Sequence, residues 1–345
     1  MDTVTDDAVV DVDGVSTTFT TQRGSVRAVH DVSLRIRAGE ALGLVGESGS
    51  GKSVLARSVM GLLPAEATVT GSVRFHGDEL VGRPAKDIRR LWGTGIAMVF
   101  QDPMTSLNPV HRIGAQVAEP LRRRLGMSRG EARREAIALL HSVGIPNPAE
   151  RARQYPHEFS GGMRQRAMIA IALACGPSLL LADEPTTALD VTVQAQILDL
   201  LAAQQRRQQM AMMLVTHDLG VVATRTDRIA VMYAGRIVET APTRSLFASM
   251  RMPYTEALFQ SIPTLDDSRE TRLRVIAGLP VDPTAALGGC AFAPRCAYAT
   301  DRCRQEEPPL TSDGDPDHLF RCWYPIESSA TGTIAPPSSP TKVEA

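Results

Sequence analysis

At 345 residues the chain has the length of two domains, or of one large domain with additions. Its 37 Lys and Arg against 38 Asp and Glu leave a formal charge of −1, which argues against a nucleic-acid protein held by a broad basic face. Aromatics at 4% leave few stacking platforms, and 43% apolar residues are too many for a disordered chain.

The acidic start Met1-Asp2-Thr3-Val4-Thr5-Asp6-Asp7 carries no apolar signal segment, so a cytosolic chain is expected. Residues 9–46 read as strands, at Val9, 26–29, 32–36 and 41–45, with Gly14, Gly24 and Gly39 between them. A helix is expected over 53–63, stopped by Pro64, then strands at 73–75 and 96–100. From 113 to 143 the pattern turns helical. Ser128 with Glu131 forms a capping box, and Ala132, Ala136, Leu139, Leu140 and Val143 share one face. Next come a helix (163–174), a strand (179–182), a helix (192–208), a strand (212–216) and a short helix. That alternation implies a parallel sheet with helices on its faces. Strands 229–233 and 236–240 follow, joined by Ala234-Gly235. Residues 287–326 hold four Cys and few aliphatics, and from Ser328 onward a low-complexity tail is expected to be disordered. The longest aliphatic runs, 167–174 and 210–215, fall short of the roughly 20 residues that a membrane span needs.

Gly46-Glu47-Ser48-Gly49-Ser50-Gly51-Lys52-Ser53, between an apolar strand and a helix, fits the Gly-x-x-x-x-Gly-Lys-Ser/Thr pattern. Such glycines let backbone N–H groups curl around phosphate oxygens, and the helix N-terminus adds a favourable dipole. Lys52 is expected to reach the β- and γ-phosphates of ATP and Ser53 to ligate Mg²⁺, with Val54 completing the binding set. The strand 179–182 ends in Asp183 and Glu184. Because side chains alternate along a strand, Asp183 suits Mg²⁺ and Glu184 suits the attacking water. Ser160-Gly161-Gly162 before a helix forms a second anion half-site, with Ser160 as N-cap.

Phe159-Ser160-Gly161-Gly162-Met163 resembles the signature loop of ABC ATPases, with Phe159 and Met163 in place of the usual Leu and Gln. The resemblance implies an α/β fold: a P-loop ABC ATPase core with a mostly parallel sheet and an N-terminal antiparallel β subdomain. It also implies a helical subdomain at about 110–160 and a small Cys-rich C-terminal domain. The expected boundaries are 1–248, 249–327 and a tail at 328–345. By the same resemblance Gln101 is the Q-loop glutamine touching Mg²⁺, Ala188-Leu189-Asp190 the D-loop and His217 the switch histidine. Phe19 is the candidate for stacking on adenine. Lys52, Glu184 and His217 are thus the expected catalytic set. Ser160, Gly161, Gly162 and Asp190 would act on the nucleotide of a second ATPase subunit.

Three segments further resemble the ATPase subunits of oligopeptide/dipeptide importers: Val99-Phe100-Gln101-Asp102-Pro103-Met104-Thr105-Ser106-Leu107-Asn108-Pro109, Tyr155-Pro156-His157-Glu158 and the run from Ala182 to Gln194. Pro253-Tyr254-Thr255 resembles that subfamily's His-Pro-Tyr-Thr segment, with Met252 replacing the histidine. This implies a paralogous ATPase partner, two transmembrane permeases and an extracytoplasmic solute-binding protein, with the chain peripheral on the cytoplasmic membrane face. Arg122-Arg123-Arg124 would meet permease or lipid, or form a solvated helix face.

Cys290, Cys296, Cys303 and Cys322 are separated by 5, 6 and 18 residues, unlike the close pairs usual for zinc. So apolar-poor a stretch normally needs disulfides, a metal or a partner. The resemblance implies a 4Fe–4S cluster on these four thiols, with Zn²⁺, disulfides or free thiols as alternatives. Cys175 reads as a small core residue. Rival readings are a soluble ABC ATPase of DNA repair or translation, and a P-loop GTPase or small-molecule kinase. The first would bring a second ATPase domain, long coiled coils or basic surfaces. The second leaves Ser160-Gly161-Gly162 unexplained.

Overall fold

The computed structural model describes residues 8–22, 24–102, 106–187, 189–261, 276–279, 281, 288–326 and 328–329. In chain order these form β1 (Ala8–Thr21), β2 (Gly24–Arg37), β3 (Ala41–Val45), α1 (Lys52–Met60), β4 (Ala67–Phe75), β5 (Asp78–Glu79), α2 (Ala85–Leu91) and β6 (Ile96–Val99). Then come α3 (Ile113–Leu125), α4 (Arg129–Ser142), α5 (Pro148–Arg151), α6 (Gly161–Leu173), β7 (Leu179–Asp183), α7 (Val191–Gln208), β8 (Ala211–Thr216) and α8 (Leu219–Arg225). The chain continues with β9 (Arg228–Tyr233), β10 (Arg236–Pro242), α9 (Thr243–Ala248), β11 (Ser249–Met250), α10 (Pro253–Gln260), α11 (Asp301–Gln305), β12 (Leu319–Phe320) and β13 (Ser328–Ser329).

The antiparallel sheet runs β2-β1-β4-β5, and the main sheet runs β12-β10-β9-β3-β8-β7-β6. Pairing is parallel from β9 through β3, β8 and β7 to β6, and antiparallel between β9, β10 and β12. Every residue of β3, β7 and β8 is buried, as a parallel strand covered on both faces must be. Alternation divides them between two cores. Leu42, Leu44, Leu179 and Leu181 pack with α1 and the antiparallel sheet, while Val45, Leu180 and Ala182 pack with the helical side.

The helical stretch is two helices. Ser128 Oγ accepts the Glu131 N–H at 3.3 Å and the Glu131 carboxylate accepts the Ser128 N–H at 2.9 Å, so the capping box forms. Ala132, Ala136, Leu140 and Val143 are buried beneath it. Arg122, Arg123 and Arg124 are exposed on α3, and Arg123 pairs with Glu119 at 2.9 Å.

The cysteine-bearing segment does not form the separate small domain expected of it. Its β12 pairs with β10 as the last strand of the main sheet, and Cys290, Cys296 and Cys322 pack against the main core. The lack of aliphatics is met by leaning on an existing core. Glu239 of β10, fully buried, fastens this region by accepting the Arg251 N–H (2.7 Å), the Met252 N–H (3.1 Å) and His318 Nε2 (2.7 Å). The start of the expected tail is also ordered: Ser328 and Ser329 pair with Met250 and Ser249. Residues 330–345 lie outside the described ones, as do the acidic N-terminus, Pro103-Met104-Thr105 and Ala188. Among the described residues no helix is long and apolar enough to cross a membrane.

Candidate functional site

Four neighbouring parallel strands end on one side of the main sheet, the usual place for a ligand in such sheets. From β3 comes the loop Gly46–Ser53, from β6 Gln101, from β7 Asp183 and Glu184, and from β8 His217. The loop turns sharply. Gly46 has φ 152° and a Cβ there would lie 2.1 Å from the Met232 carbonyl; Gly51 has φ 101° with the Ala28 carbonyl at 2.3 Å. Any other residue would force the loop open. Lys52 is buried and donates to the Gly46 and Glu47 carbonyls, both at 2.8 Å, and to Ser50 Oγ at 3.3 Å. Burial lowers its pKa, opposed by Glu184, Asp183 and Glu47.

Ser53 Oγ donates to Asp183 Oδ1 at 2.7 Å. Burial raises the Asp183 pKa, while this hydrogen bond and Arg57 act the other way. The next residue, Glu184, sits at φ 45°, a left-handed conformation costly for a non-glycine residue and common at functional sites. Its Oε2 accepts Thr187 Oγ1 at 2.8 Å and Gln101 Nε2 at 3.1 Å, with His217 Nδ1 at 3.6 Å. Gln101 therefore contacts Glu184, and the oxygen pair suited to a hard cation is Ser53 with Asp183.

Ser53, Gln101, Glu184, Thr187 and His217 border a cavity of about 680 Å³; the buried Asp183 stands behind Ser53 and does not line it. Of the expected binding residues, Glu47, Ser48, Gly49, Gly51, Lys52, Ser53, Val54 and Gln101 line it, with Glu184 and His217 opposite. Gly46, Ser50 and Phe19 do not; Phe19 lies on β1, paired with Val26 and Ala67. A cavity of about 720 Å³ lies elsewhere, bordered by Asp11, Arg35, Glu40 and Arg228. Its charges already satisfy one another, Arg35 with Asp11 at 3.0 Å and Arg228 with Glu40 at 2.8 Å. It gathers no comparable reactive set.

Ser160 caps α6, accepting the Met163 N–H at 3.3 Å, and Asp190 caps α7, accepting the Val193 N–H at 3.0 Å. The two caps are neighbours: a Cβ on Gly161 would lie 3.5 Å from Leu189 Cδ2, and one on Gly162 2.7 Å from Val193 Cγ1. Ser160, Gly161 and Asp190 are exposed, and none of the four lines the phosphate cavity of its own chain.

Sequence reasoning missed the C-terminal residues that reach this loop. Tyr254 Oη accepts the Glu47 N–H at 2.9 Å, Leu258 lines the cavity, and Arg295 pairs with the Glu47 carboxylate at 2.7 Å. The resemblance around Pro253-Tyr254-Thr255 and the cysteines flanking Arg295 marked this region, but neither pointed to Glu47. Cys290, Cys296, Cys303 and Cys322 converge on one small cavity of about 20 Å³, with Phe292 and Trp323 among its other walls. Burial raises the Cys290 and Cys296 pKa values and pushes that of Cys322 up to about 11. Among the described residues no group of three or more His, Cys, Asp or Glu side chains is placed to hold a metal ion. Cys175 is half-buried, and burial raises its pKa as well.

Residues 29–187 match the ABC transporter family, and residues 238–303 match the C-terminal region of oligopeptide/dipeptide transporters. The chain is 45% identical over 328 residues to the dipeptide transport ATP-binding protein DppD of Escherichia coli, covering 95% of this chain and 100% of that one. It is 47% identical over 321 residues to the oligopeptide transport ATP-binding protein OppD of the same organism, covering 93% and 94%. Among solved structures, a dimeric post-hydrolysis state of the ATP-binding cassette MJ0796, bound to ADP and Pi, superimposes with a TM-score of 0.62 at 29% identity, covering 68% of this chain and 99% of that one. The cbiO1 protein from Clostridium perfringens, part of the ABC transporter complex cbiONQ, gives 0.60 at 25% identity, covering 70% and 92%.

Proposed function

The chain belongs to the ABC transporter ATP-binding family, and from that premise we propose that it powers the import of di- or oligopeptides, or of a related small solute, by binding and hydrolysing ATP. The carrying observation is the convergence of the Lys52 loop, Glu184 and His217 on one cavity at the ends of adjacent strands, with Asp183 hydrogen-bonded to Ser53 of that loop. The C-terminal match and the two named peptide-transport relatives support the solute class. Partners follow from the same kinship: a second ATPase subunit, a paralogue in the importer and another copy of this chain when it is purified alone, two permeases and an extracytoplasmic binding protein, with this chain on the cytoplasmic membrane face.

In this reading the loop's N–H groups and Lys52 take the β- and γ-phosphates, while Phe19, outside the cavity walls, would serve the adenine only at the site's rim. Ser53 and Asp183, already oxygen to oxygen, would hold Mg²⁺, which neutralises phosphate charge when bound. Glu184 takes the proton of the attacking water, and His217 and Gln101, both against its carboxylate, steady the γ-phosphate and the metal side. Ser160, Gly161, Gly162 and Asp190 close on the partner's nucleotide, so ATP binding shuts the pair and hydrolysis reopens it. Glu184→Gln should lower turnover by at least about 100-fold, the usual worth of a general base, and leave an ATP-bound closed dimer visible by light scattering. Normal turnover in that variant removes Glu184 from its role.

The four C-terminal thiols are proposed, within the same reading, as the ligands of a structural 4Fe–4S cluster that cross-links three stretches of chain. Support comes from the convergence of all four thiols on one cavity whose walls hold no His, Asp or Glu. In such a cluster each thiolate meets a different iron, so the four need not stand at the spacing that one ion demands. Anaerobically purified protein should contain about four irons and four sulfides per chain and absorb near 400 nm in order of magnitude. Stoichiometric zinc, or metal-free protein of full stability, overturns the assignment.

A further inference from the structure

Arg295 lies 248 residues along the chain from Glu47, yet its guanidinium forks onto that carboxylate, Nη1 to Oε2 at 2.7 Å and Nη2 to Oε1 at 3.0 Å. Its other donors reach the Ala277 carbonyl (2.9 Å), the Ile276 carbonyl (3.1 Å) and the Tyr233 hydroxyl (3.4 Å). The Arg295 side chain is 3% exposed, so the pair is shielded from water on the arginine side. The Arg295 guanidinium carbon lies 6.0 Å from the ring centres of Tyr233 and Phe292, which pack edge-on or tilted against each other and Tyr254 at 4.5–5.4 Å.

Glu47 stands second in the phosphate loop, where a carboxylate is electrostatically out of place. An unpaired negative charge there would oppose a triphosphate a few ångströms away. Four groups instead fix this one residue: Arg295 on the carboxylate, Tyr254 Oη on the N–H, and Lys52 Nζ with the Ser50 N–H on the carbonyl. Two of the four come from the C-terminal segment. A loop held in its phosphate-accepting shape loses less freedom on binding, which favours affinity.

We propose that Arg295 is a positioning residue for ATP, cancelling the Glu47 charge and fastening the phosphate loop from the C-terminal cysteine segment. The proposal rests on the ATPase reading given above. Nucleotide affinity thereby depends on a segment outside the nucleotide-binding motifs, and the residue that carries the dependence immediately precedes Cys296.

The test measures KM and kcat for ATP in the full-length chain and in Arg295→Met, Glu47→Gln and the double variant. Arg295→Met should raise KM about tenfold, as expected for one lost charge-assisted contact, with the loss carried by KM rather than kcat. The double variant should have a KM no higher than Arg295→Met alone, because the charge that Arg295 cancels has gone. Arg295→Lys keeps the charge without the fork and should fall between; it carries the same reading if Arg295→Met does not fold. An unchanged KM, a fall in kcat alone, or a double variant whose penalty is the product of the single ones overturns the proposal. Failure of the unsubstituted chain to bind ATP would count against the ATPase reading instead.

Discussion

Asp183, proposed to hold Mg²⁺, shows how a buried carboxylate can weaken the chain that carries it. Its side chain is 1% exposed and takes one hydrogen bond, from Ser53, so burial raises its pKa above the ordinary carboxylate range. A raised folded-state pKa means that the folded chain binds this proton more tightly than the unfolded one. Stability from this group is then full below the ordinary range and is lost as pH climbs through the raised value. Asp183 therefore supports the fold less at neutral pH than in acid. Asp183→Asn should raise the Tm of nucleotide-free protein at pH 7 by roughly 2 °C, the response of a chain this size to about 1 kcal/mol, and this gain should vanish below about pH 4. Mg²⁺-dependent hydrolysis should be lost in the same variant. A lower Tm at pH 7 would show that the carboxylate is a net stabiliser.

At the scale of elements, what was legible had a local cause. The capping box at Ser128 and Glu131 is written within four residues, and it forms. The phosphate loop is legible because its glycines and Lys52 answer to constraints inside eight residues, and β3, β7 and β8 read as the apolar runs that buried parallel strands must be. Illegible elements depend on distant partners. β12 is two residues long and exists because β10 offers an edge; β13 likewise exists against β11. A composition poor in aliphatics called for disulfides, a metal or a partner without saying which, and Cys290, Cys296 and Cys322 lie on the main core. Arg295 and Tyr254 were invisible as loop supports for the same reason, since nothing near them in sequence announces Glu47. Within the site, Asp183, Glu184 and His217 could be ordered along the chain but not paired. That Gln101 meets the Glu184 carboxylate follows from β6 lying beside β7, a fact of sheet order.

For the whole molecule the decisive feature is that the groups proposed to enclose one nucleotide do not face the same space. The Lys52 loop, Glu184 and His217 border one cavity, while Ser160, Gly161 and Asp190 lie exposed at the tips of α6 and α7 and outside its walls. Beside Asp190, Val191 leaves 83% of its surface in water, an apolar side chain free to be covered. The two caps touch through Gly162 and Val193, so they present a single joint surface. The solved relative of 29% identity bound to ADP and Pi is itself dimeric. On the proposed reading catalysis is a property of a pair, because N–H donors at a helix start stabilise a terminal phosphate only where they can reach it. Turnover per chain should therefore rise with concentration and extrapolate towards zero at infinite dilution, with a plateau once every chain is paired. The measurement is steady-state phosphate release across a dilution series, with light scattering run on the same samples. Addition of a Glu184→Gln copy in excess should draw the unsubstituted chain into mixed dimers and change its rate, which a self-sufficient monomer would not do. A rate per chain that stays constant through the range where scattering reports only monomers would place the whole catalytic set within one molecule, against the exposed positions of Ser160 and Asp190.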